Sequence, residues 1–280
     1  MTEDAIPSSA DGPILEVRDL SLRFRGIYAL NEVSFAVAPG SITALIGPNG
    51  AGKTSLFNCI SGFYRPFAGD VLFSGSRITG LPPPARARLG LARSFQNIAL
   101  FRGMTVLENI KLGRHAHMRS SLLDGLLYWG RARREEAELT REVDERIIDM
   151  LELGAIRDEP VANLAYGLRK RVELARALAM KPVVLLLDEP VAGMNREETG
   201  DIARLVLKIR REWKVSVLMV EHDMGMVMDI SDHVVVLNFG RLIAQGRPEA
   251  VQKDPEVIAA YLGASAAGQL VPATAQELPA

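Results

Sequence analysis

From Ile14 onward, Leu15/Val17, Leu20/Leu22/Phe24 and Val33/Phe35/Val37 alternate with polar residues, which predicts half-buried antiparallel strands. The apolar run Ser41–Ile46 predicts a further strand, and Ser55–Ser61 a helix ended by Gly62. Asp70–Ser74 repeats the strand pattern, and Met104–Leu112 has a short helical one. Val143, Ile147, Met150 and Leu151 share one face of a helix expected to end at Gly154. Leu168, Val172, Ala175 and Ala179 mark another helix, stopped by Pro182, with Arg169, Lys170, Arg171 and Arg176 expected on its exposed face. Val183–Leu187 and Val215–Val220 are unbroken apolar runs, the pattern of parallel strands covered by helices on both faces. A helix over Arg196–Trp213 separates them, Phe239-Gly240-Arg241 joins Val234–Asn238 to Leu242–Gln245 as a hairpin, and Pro255–Leu262 reads as a closing helix. Met1–Gly12 and Ala264–Ala280 are rich in Ala, Ser, Pro and Gly without either period and read as loose ends.

Composition narrows the function classes. The 280 residues suffice for one large domain or two small ones, and 48% hydrophobic with 24% charged residues is ordinary for a globular chain. A formal net charge of −1 supplies no global basic field for nucleic acid or an anionic membrane. The single Cys59 excludes an intrachain disulfide and a Cys-based zinc cluster. The N-terminus has no signal-peptide pattern, and nowhere do ~18 apolar residues run together, so neither export nor a membrane span is expected. Arg114–Thr140 is charged, with Arg131/Glu135 and Arg134/Glu138 spaced for helical ion pairs, and His115 and His117 read as surface residues.

The candidate chemistry begins at Gly47-Pro48-Asn49-Gly50-Ala51-Gly52-Lys53-Thr54, which fits G-x-x-x-x-G-K-[ST] between a strand and a helix. Glycines there let successive N–H groups curl around an anion, and the helix adds its positive end. Lys53 is expected on β/γ-phosphates, Thr54 on Mg²⁺, with Ser55 beside them in the nucleotide site. Asp188 and Glu189 end a buried strand: Asp188 is placed to hold Mg²⁺, and Glu189, pointing elsewhere by strand alternation, to polarise the attacking water. His222, at the tip of a neighbouring strand, is expected to contact the γ-phosphate. Phe24 and Tyr28 are both available to stack on a base.

With these motifs, Gln96, and the helix start Leu164-Ala165-Tyr166-Gly167-Leu168 in this order, the chain resembles the ATP-binding subunits of ABC transporters from about Ile14 to Gly263. Leu164–Gly167, the turn Pro190–Asn195, the insertion before residue 141 and the ending Asp254–Gly263 most resemble the ATPases of branched-chain amino acid importers. The resemblance implies an α/β fold: a P-loop NTPase with a RecA-like parallel sheet core, an N-terminal antiparallel β-layer and an inserted α-helical subdomain at about 97–180. It implies a domain over 13–263 flanked by a disordered 1–12 and a flexible 264–280, with ATP and Mg²⁺ as cofactors. Gln96 is then a Mg²⁺ and γ-phosphate residue, and Phe24 rather than Tyr28 the adenine platform. Ala165, Tyr166 and Gly167 serve the ATP of a second ATPase subunit, identical or related, packed head to tail. The further partners implied are transmembrane permease subunits and, indirectly, a solute-binding protein, at the cytoplasmic face of the inner membrane, with no nucleic acid.

Two departures stand out. Ala165, Tyr166 and Leu168 replace the Ser, first Gly and Gln of the commoner signature, removing one charge-assisted bond worth about 1.5–3 kcal/mol. Asn195 replaces a frequent Asp. Activity is still expected. Two other ATPase types share parts of the pattern. A lipopolysaccharide-transport ATPase has a more usual signature and lacks the insertion; a DNA-associated ATPase needs long arms or zinc modules, which about 70 residues between Gln96 and Ala165 do not hold. A non-hydrolysing module is disfavoured by the Asp188-Glu189 pair.

Overall fold

The computed structural model describes residues 12–94, 100–114 and 131–268, the side chains of 131–136 and 263–268 excepted. Gln96, His115, His117 and, of the expected loose ends 1–12 and 264–280, residues 1–11 and 269–280 lie outside the described residues, while 264–268 continue the closing helix. The elements run β1 (Leu15–Phe24), β2 (Ile27–Val37), β3 (Ile42–Ile46), α1 (Lys53–Ser61), β4 (Ala68–Phe73), β5 (Ser76–Arg77), α2 (Pro83–Arg88) and β6 (Leu91–Arg93). Next come α3 (Val106–Leu112), α4 (Arg131–Val143), α5 (Tyr166–Ala179), β7 (Val184–Asp188), α6 (Arg196–Trp213), β8 (Ser216–Val220) and α7 (Met224–Ile230). The chain closes with β9 (His233–Asn238), β10 (Arg241–Gly246), α8 (Pro248–Val251) and α9 (Pro255–Gly268).

One sheet has the order β10-β9-β3-β8-β7-β6, parallel except for the β9–β10 hairpin; the other, β2-β1-β4-β5, is antiparallel. All five residues of β3 are buried because the strand serves two cores at once. Ala44 and Ile46 point into a core shared with the helices, and Leu45 into a core shared with α1 and the antiparallel sheet. The same division splits Leu185/Leu187 from Leu186 on β7 and Val217/Met219 from Leu218 on β8. This two-sided burial is the physical reason for the unbroken apolar runs in the sequence. It brings the C-terminal ends of β3, β7 and β8 side by side, where open α/β sheets place ligands.

Three readings of the helical elements change. The face through Val143 and Ile147 does not continue as one α-helix to Gly154: Asp144–Ile148 forms a π turn, and Gly154–Ile156 a separate 3₁₀ turn. The wider turn lets Ile147 and Ile148 both be buried, at 3% and 2% exposure. Lys170 is not on an exposed face of α5; it is buried, with Nζ 3.9 Å from Oε2 of the equally buried Glu173. The closing helix passes the expected Leu262 and reaches Gly268. Among the described residues no helix is long and apolar enough to cross a membrane.

Candidate functional site

The loop after β3 is shaped by backbone conformations that only glycine takes at no cost. Gly47 has φ 147° and a Cβ there would meet the carbonyl oxygen of Leu237 at 2.1 Å; Gly52 has φ 103° and would meet that of Ala29 at 2.6 Å. Gly52 is also the N-cap of α1 and offers no side chain to the helix's first amides. An uncapped helix start inside a curled loop is an anion site by geometry. The helix begins at Lys53, earlier than the expected Ser55, so Lys53, Thr54 and Ser55 form its first turn. Lys53 is buried and donates from Nζ to the carbonyls of Gly47 at 2.7 Å and Pro48 at 3.0 Å. Burial lowers its pKa, against the pull of the Glu189 charge.

Above this loop lies a groove of about 450 Å³. Asn49, Gly50, Ala51, Gly52, Lys53, Thr54 and Ser55 form its floor, Ile27, Tyr28 and Ala29 one wall, and Phe239 and Gly240 of the hairpin tip another. Glu189 and His222 enter it from the strand ends. Their side chains meet, with His222 Nε2 3.0 Å from Glu189 Oε1. Glu189 does not point away from Asp188 by simple strand alternation, because β7 ends at Asp188 and Glu189 has already turned, at φ 50°. A non-glycine residue held there is strained, and it is held by the bond from its N–H to the carbonyl of Val220, 2.9 Å. Glu221 steadies the same corner: only 2% exposed, it accepts from the backbone N–H of Val191 at 3.0 Å and of His222 at 2.9 Å. Burial pushes its carboxyl up, against those hydrogen bonds.

Of the sequence-predicted residues, Asn49 to Ser55, Glu189 and His222 are brought together in the groove, and Gly47 and Pro48 serve it through their carbonyls. Asp188 is next to it but sealed beneath, with Oδ2 2.7 Å from Arg93 Nη2. Phe24 does not line the groove; its ring packs edge-on against Tyr64, with centroids 5.3 Å apart, and Tyr28 takes the wall position. Ala165, Tyr166 and Gly167 do not line it either. Ala165 is the N-cap of α5, and Gly167 lies against Glu198, whose Oε1 a Cβ would meet at 2.8 Å. Asn195 caps α6, accepting from the N–H of Glu197 at 2.9 Å and of Glu198 at 3.0 Å.

Arg93, Glu221 and the hairpin tip carry no motif, and sequence reasoning missed them. The only signals were a lone Arg at the end of a short apolar strand and a bulky Phe239 where a two-residue hairpin favours Asn or Gly.

Among the described residues no group of three or more His, Cys, Asp and Glu gathers as a metal cage. One buried carboxylate and one exposed hydroxyl, Asp188 and Thr54, suit a hard cation that keeps waters and takes its other ligands from a bound polyphosphate.

Residues 30–192 match the family model described as ABC transporter, and residues 241–267 that described as branched-chain amino acid ATP-binding cassette transporter. The high-affinity branched-chain amino acid transport ATP-binding protein BraF of Pseudomonas aeruginosa is 44% identical, over 90% of this chain and 98% of that protein. The LivG protein of Escherichia coli strain K12, with the same description, is 41% identical over 90% and 98%. A crystal structure of an ATP-binding cassette of an ABC transporter, in its ADP conformation, superposes with a TM-score of 0.79 at 34% identity, over 90% of this chain and 99% of that one. A nucleotide-free cassette superposes at 0.78 and 33% identity, over 89% and 99%. The groove, its phosphate loop and these likenesses agree, and the chain belongs to the ABC transporter family as one of its ATP-binding, ATP-hydrolysing subunits.

Proposed function

We propose that this chain energises the import of branched-chain or closely related amino acids, paired with a second ATPase subunit beneath transmembrane permease subunits and served by a solute-binding protein. It works at the cytoplasmic face of the inner membrane. The relatives' names and the match at residues 241–267 support the substrate class.

The observation that carries the mechanism is the Glu189–His222 pair facing Lys53 across one groove. The amides of α1's first turn and Lys53 hold the phosphates, and Tyr28 stacks on the adenine. Thr54 and Asp188, with Gln96, would hold Mg²⁺, which would supply positive charge against the phosphates. Glu189 orients and polarises the attacking water, and His222 fixes the Glu189 carboxylate while reaching towards the γ-phosphate. Ala165, Tyr166 and Gly167 complete the site of the opposing subunit through the N-terminus of α5.

The test is uptake of radiolabelled leucine into proteoliposomes carrying this chain, its permease subunits and the binding protein. Uptake is expected to need ATP and to stop with Lys53→Ala, which loses nucleotide binding. Glu189→Gln is expected to keep binding and to trap an ATP-bound pair without uptake. Wild-type hydrolysis by Glu189→Gln, or leucine uptake independent of ATP, contradicts the reading.

A further inference from the structure

Arg93 sits where three parts of the site converge. Its Nη1 donates to Asn58 Oδ1 at 2.7 Å and Ser61 Oγ at 2.8 Å, both on α1, and its Nη2 to Asp188 Oδ2 at 2.7 Å. The guanidinium lies 5.6 Å from the ring centroid of Phe57 and 5.8 Å from that of Phe63. The ion pair is nearly sealed: the Arg93 and Asp188 side chains are 9% and 4% exposed. A planar fork making three bonds has one orientation, and a lysine's single point of charge cannot reproduce it.

We infer that Arg93 is a positioning residue for the metal-binding carboxylate. It ties the tip of β7 to the helix that begins with Lys53 and Thr54, and turns Asp188 so that Oδ2 is held and Oδ1 is left for the cation's shell. The spacing between the phosphate-holding helix and the metal-holding carboxylate is thereby set by a residue that does not line the groove. Simple neutralisation of a buried Asp needs only a positive charge. The bonds to Asn58 and Ser61 add a fixed direction. This inference rests on Asp188 holding Mg²⁺, as proposed above.

The experiment compares Kd for a non-hydrolysable ATP analogue in EDTA and in Mg²⁺, by calorimetry on the full chain. Arg93→Met is expected to bind as wild type in EDTA, within twofold, and to lose at least tenfold of the affinity that Mg²⁺ adds. Arg93→Lys, with charge but no fork, is expected to fall between, and Asn58→Ala, which removes one anchor and leaves the ion pair, to show a smaller loss of the same kind. Asp188→Asn separates the two claims: if it keeps the Mg²⁺ gain, the metal reading of Asp188 fails. If Asp188→Asn loses the gain while Arg93→Met keeps it, the positioning role is wrong. An equal loss with and without Mg²⁺ in Arg93→Met marks damage to the phosphate loop and also overturns it. Should Arg93→Met not fold, Asn58→Ala decides: an unchanged Mg²⁺ gain contradicts the inference.

Discussion

At the scale of single residues, motif and geometry divide the work. That Lys53 and Thr54 line the groove could be read from the sequence because their spacing is fixed on a strand–loop–helix unit, and that Glu189 does because an acidic pair ends an apolar strand. Which of Phe24 and Tyr28 faces the groove could not, because the two are four positions apart on a chain that reverses between them. The turn after Phe24 carries Arg25 at φ 47° and Gly26 at φ 90°, which starts β2 at Ile27 and presents Tyr28 to the groove. Phe24 is left on Tyr64. Tyr28→Ala is therefore expected to weaken ATP binding by about 1–3 kcal/mol, the range of lost base stacking. Phe24→Ala is expected to change it far less. Binding titrations on both variants check this, and a larger loss at Phe24 reverses the assignment.

At the scale of elements, strands and helices with a strong period were legible, and the junctions between them were not. The helix over Arg196–Trp213 begins and ends where its pattern predicts, because Asn195 and Glu198 form a capping box and the next residue, Lys214, turns left-handed at φ 57°. By contrast, nothing in the run through Val143 and Ile147 announces a π turn, since its only mark is one extra buried apolar residue, Ile148. Arg86 is a second such case. It looks like an ordinary basic residue of a short surface helix, yet it is 1% exposed and bolts α2 onto the end of α1. Its guanidinium donates to the carbonyls of Cys59 at 2.7 Å, Ile60 at 2.6 Å, Thr79 at 2.8 Å and Leu81 at 2.9 Å. Burial depresses its pKa, and those four acceptors are what keep the charge tolerable inside. Arg86→Met leaves the acceptors unmatched and is expected to cost about 3 kcal/mol or more. Urea unfolding of the purified chain measures it, and an unchanged midpoint at unchanged slope contradicts the role.

At the scale of the whole molecule, the proposed pairing requires this chain to carry two halves of different active sites. The groove holds Lys53, Glu189 and His222, while Ala165, Tyr166 and Gly167 do not line it. Spacing alone places these motifs in order; that they sit apart came from the family resemblance, since it depends on how α5 packs in the fold. The structure also decides which substitution probes the second half cleanly. An acid at Gly167 would stand beside the Glu198 carboxylate of the same chain, whose side chain would have to shift away. Tyr166 is 44% exposed and the first residue of α5; the Glu173 carboxylate acts on its hydroxyl, but an Asp there is shorter, and a negative charge at a helix start favours the helix. That same charge repels a γ-phosphate delivered by a second subunit. The deciding measurement is ATP hydrolysis by an equal mixture of Tyr166→Asp and Lys53→Ala chains, each inactive alone. One composite site in the mixed pair joins an intact phosphate loop to an intact α5 start, so hydrolysis is expected to reappear on mixing, with Tyr166→Asp binding ATP normally as a monomer. A mixture as inactive as its parts, together with a Tyr166→Asp monomer that has lost ATP affinity as fully as Lys53→Ala, contradicts the shared site.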